Sequence, residues 1–254
     1  MKILCTKMKS ISRVIALVLI AVLLASLARG TNAGTVYFGY AKREIPIYSV
    51  DTREKKVAIT FDAAWGSDKT SKIVEILKEN GVLGTFFLVG FWVEQNVDLV
   101  KMIDDAGFDI GTHSNTHPKM SVLSEERVKE ELETSMNLIT QITGKPVKIF
   151  RPPFGDYNDA LINIAGSLGL KTIQWDVDSL DWKGLSANEI LSRIKATVKN
   201  GSIILCHNNS DHILDALPLI ISHLKNEGYT MVKISDLVYE KNYYIDNNGL
   251  QKQK

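Results

Sequence analysis

Cysteine is nearly absent from this chain of 254 residues: there are two, Cys5 and Cys206. That is too few for a disulfide framework or a multi-cysteine metal cluster. Proline is also sparse, at six, and seventeen glycines fall far short of a fibrous or low-complexity composition. Neither charge sign is in excess, with 30 Lys and Arg against 29 Asp and Glu. A net charge of +1 offers no electrostatic footprint for nucleic acid. The one strong local bias lies at the start, where the first 43 residues contain no acid at all.

Within that acid-free stretch, Lys2, Lys7, Lys9 and Arg13 precede an uncharged run, VIALVLIAVLLASLA, at 14–28. A basic segment, an apolar run and the small residues Ser26, Ala28 and Ala33 follow the order of an export signal. As a helix the run would reach about 22 Å, against ~30 Å for a hydrocarbon core. Residues 1–30 therefore read as a signal peptide, with an uncleaved membrane anchor as the competing reading. Basic residues ahead of the run direct the remaining chain outward. The expectation is an exported protein, either secreted or held at the extracytoplasmic face of the membrane. Residues 31–55 read as a linker or N-terminal extension.

From residue 56 onward, short apolar runs alternate with amphipathic ones. VAITF (57–61), TFFLV (85–89), FDIG (108–111), VKIF (147–150), TIQW (172–175), SIILC (202–206) and TMVKI (230–234) read as strands. Between them, SKIVEILKEN stops at Gly81, and a helix opening at Ser124 carries Val128, Leu132, Met136 and Ile139 on one face. Ser186 and Glu189 have capping-box spacing. A further helix spans 213–228, with Pro218 as a kink or a late start. Seven strands alternating with helices predict an α/β fold with a parallel sheet. Residues 56–240 read as one catalytic-size domain and residues 241–254 as a polar, frayed tail.

The chemistry-bearing residues follow the carboxyl ends of these strands: Asp62, then His113 and His117, Arg151, the group Asp176, Asp178 and Asp181, and His207. An open sheet would spread them apart; a barrel would collect them at one mouth, so a closed or nearly closed barrel is expected. Each has a plain alternative. The histidines of HSNTH would share one face of a helical turn and suit a divalent metal, zinc above all, or else sit in a solvated loop. Asp62 reads equally as a helix cap, Arg151 as half of a surface ion pair, Asp181 as a turn residue and His207 as a core histidine. Cys206 should face away from His207 and pack in the core.

Taken in order, TFD (60–62), HSNTH (113–117), RPPFG (151–155), DSLDW (178–182) and LCH (205–207) resemble the five motifs of the polysaccharide deacetylases, the NodB-homology enzymes of carbohydrate esterase family 4. The segment 37–66 resembles the PdaB-type deacetylases of endospore-forming bacteria. The resemblance covers about residues 56–240 and implies a distorted barrel that removes acetyl groups from N-acetylated amino sugars. The substrate it implies is peptidoglycan, with spore cortex as one form. It assigns the metal to His113 and His117, the base to Asp62 and the acid to His207. It further implies that Arg151 orients Asp62 and Asp181 holds His207. Trp182 and Leu205 would receive the acetyl methyl, and the Phe154 backbone N–H would face the oxyanion. One position departs from the family: its first motif usually reads TFDDG, with the second Asp a metal ligand, and here Ala63 stands there. Asp68 is a candidate replacement in the same loop. The departure keeps a second reading open, a non-catalytic glycan-binding protein on the same barrel. For a glycan ligand, Trp65 and Trp92 read either as sugar-stacking rings or as core or loop packing.

Overall fold

A computed structural model describes residues 15, 17–21 and 43–254. The chain divides into two units, 1–43 and 44–254. In the first, residues 15 and 17–21 are helical, and the remainder of the proposed export segment lies outside the described residues. No helix of the described residues is long and apolar enough to cross a membrane.

The second unit is built on strands β1 (Ser49–Val50), β2 (Lys56–Ala63), β3 (Thr85–Leu88), β4 (Asp109–Thr112), β5 (Ile149–Phe150), β6 (Lys171–Thr172), β7 (Val177–Asp178), β8 (Ile203–His207), β9 (Thr230–Met231), β10 (Tyr243–Ile245) and β11 (Leu250–Gln253). The helices are α1 (Thr70–Glu79), α2 (Gly90–Gln95), α3 (Val97–Asp105), α4 (Glu125–Thr143), α5 (Asp159–Ser167), α6 (Ala187–Thr197), α7 (Ile213–Asn226) and α8 (Ile234–Leu237). Seven strands form one sheet in the order β6-β5-β4-β3-β2-β8-β7, and β9 pairs with the start of β2. Every pairing in it is parallel. The sheet curls into a half-barrel, the expected α/β architecture.

Alternation along β2 shows how the barrel is filled. Val57, Ile59, Phe61 and Ala63 belong to the large outer cluster with α1, α4 and α7. Ala58 belongs instead to the inner cluster with Phe87, Ile149, Ile173 and Ile203. The period of two then carries Thr60 and Asp62 up the same inner face. On β8 the same rule puts Ile203 in the inner cluster and Ile204 and Cys206 in the outer one. Cys206 is a buried free thiol whose pKa burial pushes well above its ordinary value, in keeping with a packing role.

Helix signals in the sequence are realised locally. The Ser124 Oγ accepts the Arg127 N–H at the start of α4, which ends at Gly144. Ser186 and Glu189 form both halves of a capping box. Pro218 lies inside α7, which begins at Ile213, so it does not delay the helix.

Two boundaries differ from the sequence reading. Residues 241–254 are not frayed: β10 and β11 pair antiparallel, and β11 pairs parallel with β1. Gln251 is wholly buried, accepting the Tyr239 N–H (2.9 Å) and donating to the Tyr239 carbonyl (3.0 Å). Within 31–55, Ile47 and Val50 are buried in the inner cluster, and Ile47 bridges to Ile173 at the sheet edge. The later part of that supposed linker is thus part of the domain. Strand β7, two residues long, was not expected, and β9 is shorter than the TMVKI run.

Candidate active site

The carboxyl ends of the parallel strands open on a cavity of about 530 Å³. Asp62, His113, His117, Phe154, Trp182, Leu205 and His207 all line it, together with Ala64, Trp65, Trp175, Asp178 and Asn209. Arg151 and Asp181 stand behind this wall, both essentially without solvent exposure. The structure therefore brings Asp62, His113, His117, Arg151, Phe154, Asp181, Trp182, Leu205 and His207 together, whereas Asp176 turns away to accept the Ile203 N–H (2.9 Å) and the Ser202 hydroxyl (3.0 Å) and Asp68 lies outside the cavity.

Asp62 and His207 are direct partners in the β2–β8 register, so their side chains rise side by side from neighbouring strands. Arg151 reaches Asp62 from beneath. Its guanidinium lies 4.2 Å over the Phe87 ring and donates to Asp62 Oδ1 (2.7 Å), Thr60 Oγ1 (2.8 Å) and the Gln174 carbonyl (3.1 Å). Burial pushes the Asp62 pKa up, but the charges of Arg151, His113 and His207 and the Arg151 hydrogen bond outweigh it. The carboxyl ends below its ordinary value and is ionised at neutral pH. Asp62 caps no helix, and Arg151 is no surface ion-pair residue.

On the other side, Asp181 holds His207 twice: Oδ2 accepts its backbone N–H (2.8 Å) and Oδ1 its ring Nδ1–H (2.7 Å). Burial lowers the His207 pKa, yet the Asp181 hydrogen bond and charge win, and the imidazolium is favoured. With Nδ1 engaged, Nε2 is the nitrogen left to act in the cavity.

The HSNTH segment is not a helical turn. Ser114 and His117 both have left-handed backbone, with φ of 70° and 60°. What folds it is Glu131 of α4, a buried carboxylate accepting the Asn115 N–H (2.8 Å), the Thr116 N–H (2.7 Å) and the Thr116 hydroxyl (2.6 Å). The loop also docks on α2, whose Gly90 N–H donates to the Ser114 carbonyl (3.0 Å). A Cβ at Gly90 would lie 2.0 Å from the Asn115 side chain, so glycine is required there. Sequence reasoning missed Glu131. Its signal was available, since it falls three residues after Val128 on the apolar face of α4, where a carboxylate needs partners.

This loop sets the two imidazoles 5.0 Å apart between ring centres. His113 Nδ1–H donates to the Arg151 carbonyl (2.7 Å), which leaves its Nε2 lone pair free, 3.6 Å from Asp62 Oδ2. Burial lowers the pKa of both rings, that of His117 to about 4 with help from the nearby His113. Both are neutral donors at pH 7, and the buried His117 Nδ1 has no hydrogen-bond partner. A neutral pair with a backbone-fixed tautomer and an orphaned nitrogen fits a divalent ion. A third protein ligand is not in place. Ala63 packs in the outer cluster and does not line the cavity, and the Asp68 carboxylate is exposed beside Lys69 (3.9 Å) and does not line it either. Among the described residues no group of three His, Cys, Asp or Glu side chains is arranged for a metal.

Phe154 adds a further left-handed residue, with φ of 61°, and its exposed ring meets His117 at 4.6 Å. Of the five non-glycine residues with positive φ among the described residues, four (Ser114, His117, Phe154 and Leu180) lie in loops around the cavity. Strain concentrated at one mouth is a mark of function.

The sequence model of the polysaccharide deacetylase family matches residues 49–173. YlxY of Bacillus subtilis, an uncharacterised protein, is 35% identical over 77% of this chain, which spans 61% of its length. PdaA of the same species, a peptidoglycan-N-acetylmuramic acid deacetylase, is 33% identical over 76% of this chain and 75% of its own. Among solved structures, BA3943 of Bacillus anthracis superposes with a TM-score of 0.74 at 35% identity, covering 83% of this chain and 70% of that one. It is described as a pseudoenzyme of the CE4 family, and a mutant of it as having restored activity. By fold, motif order and relatives, this chain belongs to the polysaccharide deacetylases of carbohydrate esterase family 4, a family of hydrolases.

Proposed function

We propose that this chain hydrolyses N-acetyl groups from amino sugars of peptidoglycan, releasing acetate and leaving the free amine. The observation that carries this reading is the pair of opposed, charge-matched dyads at one cavity: Asp62 with Arg151, and His207 with Asp181. One dyad keeps a carboxylate ionised and the other keeps an imidazole protonated, which is the division of labour amide hydrolysis needs.

The attacking water gives its proton to Asp62 as its oxygen bonds to the acetyl carbon. Arg151 keeps Oδ1 occupied, so Oδ2 is the oxygen that receives it. His207 then donates its Nε2 proton to the sugar nitrogen as the carbon–nitrogen bond breaks, and Asp181 stabilises the ring throughout. Asp62 returns its proton to solvent and His207 regains one, closing the cycle. Trp182 and Leu205 receive the acetyl methyl, and the strained Phe154 presents its N–H to the carbonyl oxygen. His113 and His117 would hold a divalent ion, zinc by the preference of imidazole nitrogen, whose chemistry when bound is to polarise the carbonyl and acidify water. The glycan substrate implies export, with residues 1–30 as the signal or anchor. Acetate release from peptidoglycan by the wild-type chain, lost in Asp62→Asn, tests the proposal.

A second reading has its own observation. The carboxylate that would be the third metal ligand is missing, and the structural relative BA3943 is a pseudoenzyme. On that reading the cavity binds glycan without turnover, and Asp62→Asn changes neither binding nor biological activity.

A further inference from the structure

The structure separates the two tryptophans that the sequence could not. Trp92 is buried, and its indole Nε1–H donates to the Gly66 carbonyl at 2.7 Å. Trp65 lies one residue before that carbonyl and is 57% exposed at the cavity mouth. Leaving so large an apolar ring in water forgoes burial that the fold could have used.

Its loop is not loose. The Gly66 carbonyl also accepts Asn208 Nδ2–H (2.8 Å), so two buried side chains fix the backbone beside Trp65. Gly66 itself is left-handed, with φ of 69°, and a Cβ there would press to 3.1 Å from Asn209. The indole leans on His117, with ring centres 4.8 Å apart, and on Phe91 at 6.1 Å. A rigid backbone and two supporting rings hold an exposed aromatic surface in one place, the arrangement that lowers the entropic cost of binding.

We propose that Trp65 is a specificity-determining residue that stacks on the apolar face of a pyranose ring at the cavity mouth, selecting a glycan chain over a small acetylated amide. The axial C–H groups of a β-linked amino sugar match a flat aromatic surface, and the acetyl group is left to Trp182 and Leu205. This rests on the glycan reading of the cavity and not on turnover.

The test is calorimetric binding to the full-length chain carrying Asp62→Asn, so that nothing is consumed. The probes are chitotetraose and a tetrasaccharide of alternating N-acetylglucosamine and N-acetylmuramic acid. Adding Trp65→Ala should weaken the better-bound probe about tenfold or more, whereas Trp65→Phe, which keeps a flat face, should weaken it less than about threefold. In the wild-type background, Trp65→Ala should raise KM for the oligosaccharide by a larger factor than KM for a small N-acetyl amide. Unaltered binding by Trp65→Ala overturns the proposal, as does failure of both tetrasaccharides to bind the Asp62→Asn chain. Thermal unfolding of Trp65→Ala should match the parent, and a loss of binding that tracks unfolding instead also counts against it. If the wild-type chain releases no acetate yet binds in a Trp65-dependent way, the deacetylase reading fails and this one stands.

Discussion

Asp62 and His207 face the same cavity with opposite protonation preferences, and that contrast makes a pH prediction. The Asp62 carboxyl lies below its ordinary value of 3.8 and His207 above its ordinary 6.5. Acetate release should therefore hold across neutral pH and fall as pH rises through the elevated His207 pKa, where the acid is lost. Asp181→Asn removes the partner that raises it, so the fall should begin at lower pH; an unmoved basic limb would mean that His207 is not the acid. The stability contribution of the Asp181–His207 pair has the same sign: it is fully present below pH 6.5 and lost as pH rises through the folded value. Arg151 is a different case, because it is buried with its carboxylate partner. Arg151→Met should cost about 3–5 kcal/mol, since it strands the Asp62 charge. Urea unfolding reads that loss. His207→Ala, at a partly exposed ring whose partner Asp181 keeps the residue 207 backbone N–H, should cost less stability.

The loops and strands determine where these residues stand, and they were unevenly legible. The inner-face residues could be read because Asp62 and His207 end apolar strands whose alternation is strict. The 113–117 loop could not. Its conformation depends on Glu131, sixteen residues from Asn115, and on two left-handed residues that no local pattern announces. Glu131→Ala should leave three loop donors without their acceptor, cost about 1–3 kcal/mol and reduce acetate release. Glu131→Gln, which keeps an oxygen toward the two N–H groups, should recover most of both. The C-terminal hairpin was illegible for another reason. KNYYIDNNGLQKQK lacks an apolar run, and its pairing is with β1, where Ser49 partners Leu250 and Val50 partners Gln251, from the far end of the domain sequence. Gln251→Ala should cost about 1–3 kcal/mol through the unpaired Tyr239 backbone, measurable as a lower Tm.

For the whole molecule, the half-barrel turns a scattered set of strand ends into one cavity with a buried electrostatic floor. Composition and periodicity pointed to this architecture, and five ordered motifs to the family. The candidate metal site is where sequence and structure leave the family pattern together. Ala63 packs away from the cavity, Asp68 sits outside it, and the donors that remain are two neutral imidazoles beside Asp62. A divalent ion held there has fewer protein ligands than the three usual for catalytic zinc. It should bind more weakly and be removed more readily by chelators than in relatives with the full set. Acetate released from purified peptidoglycan by the full-length chain with added zinc, compared with its Asp62→Asn variant, tests the central claim. The expected result is chelator-sensitive release that falls by roughly 100-fold or more in the variant. Equal release from the two proteins, or none from the wild type at any zinc concentration, would contradict it.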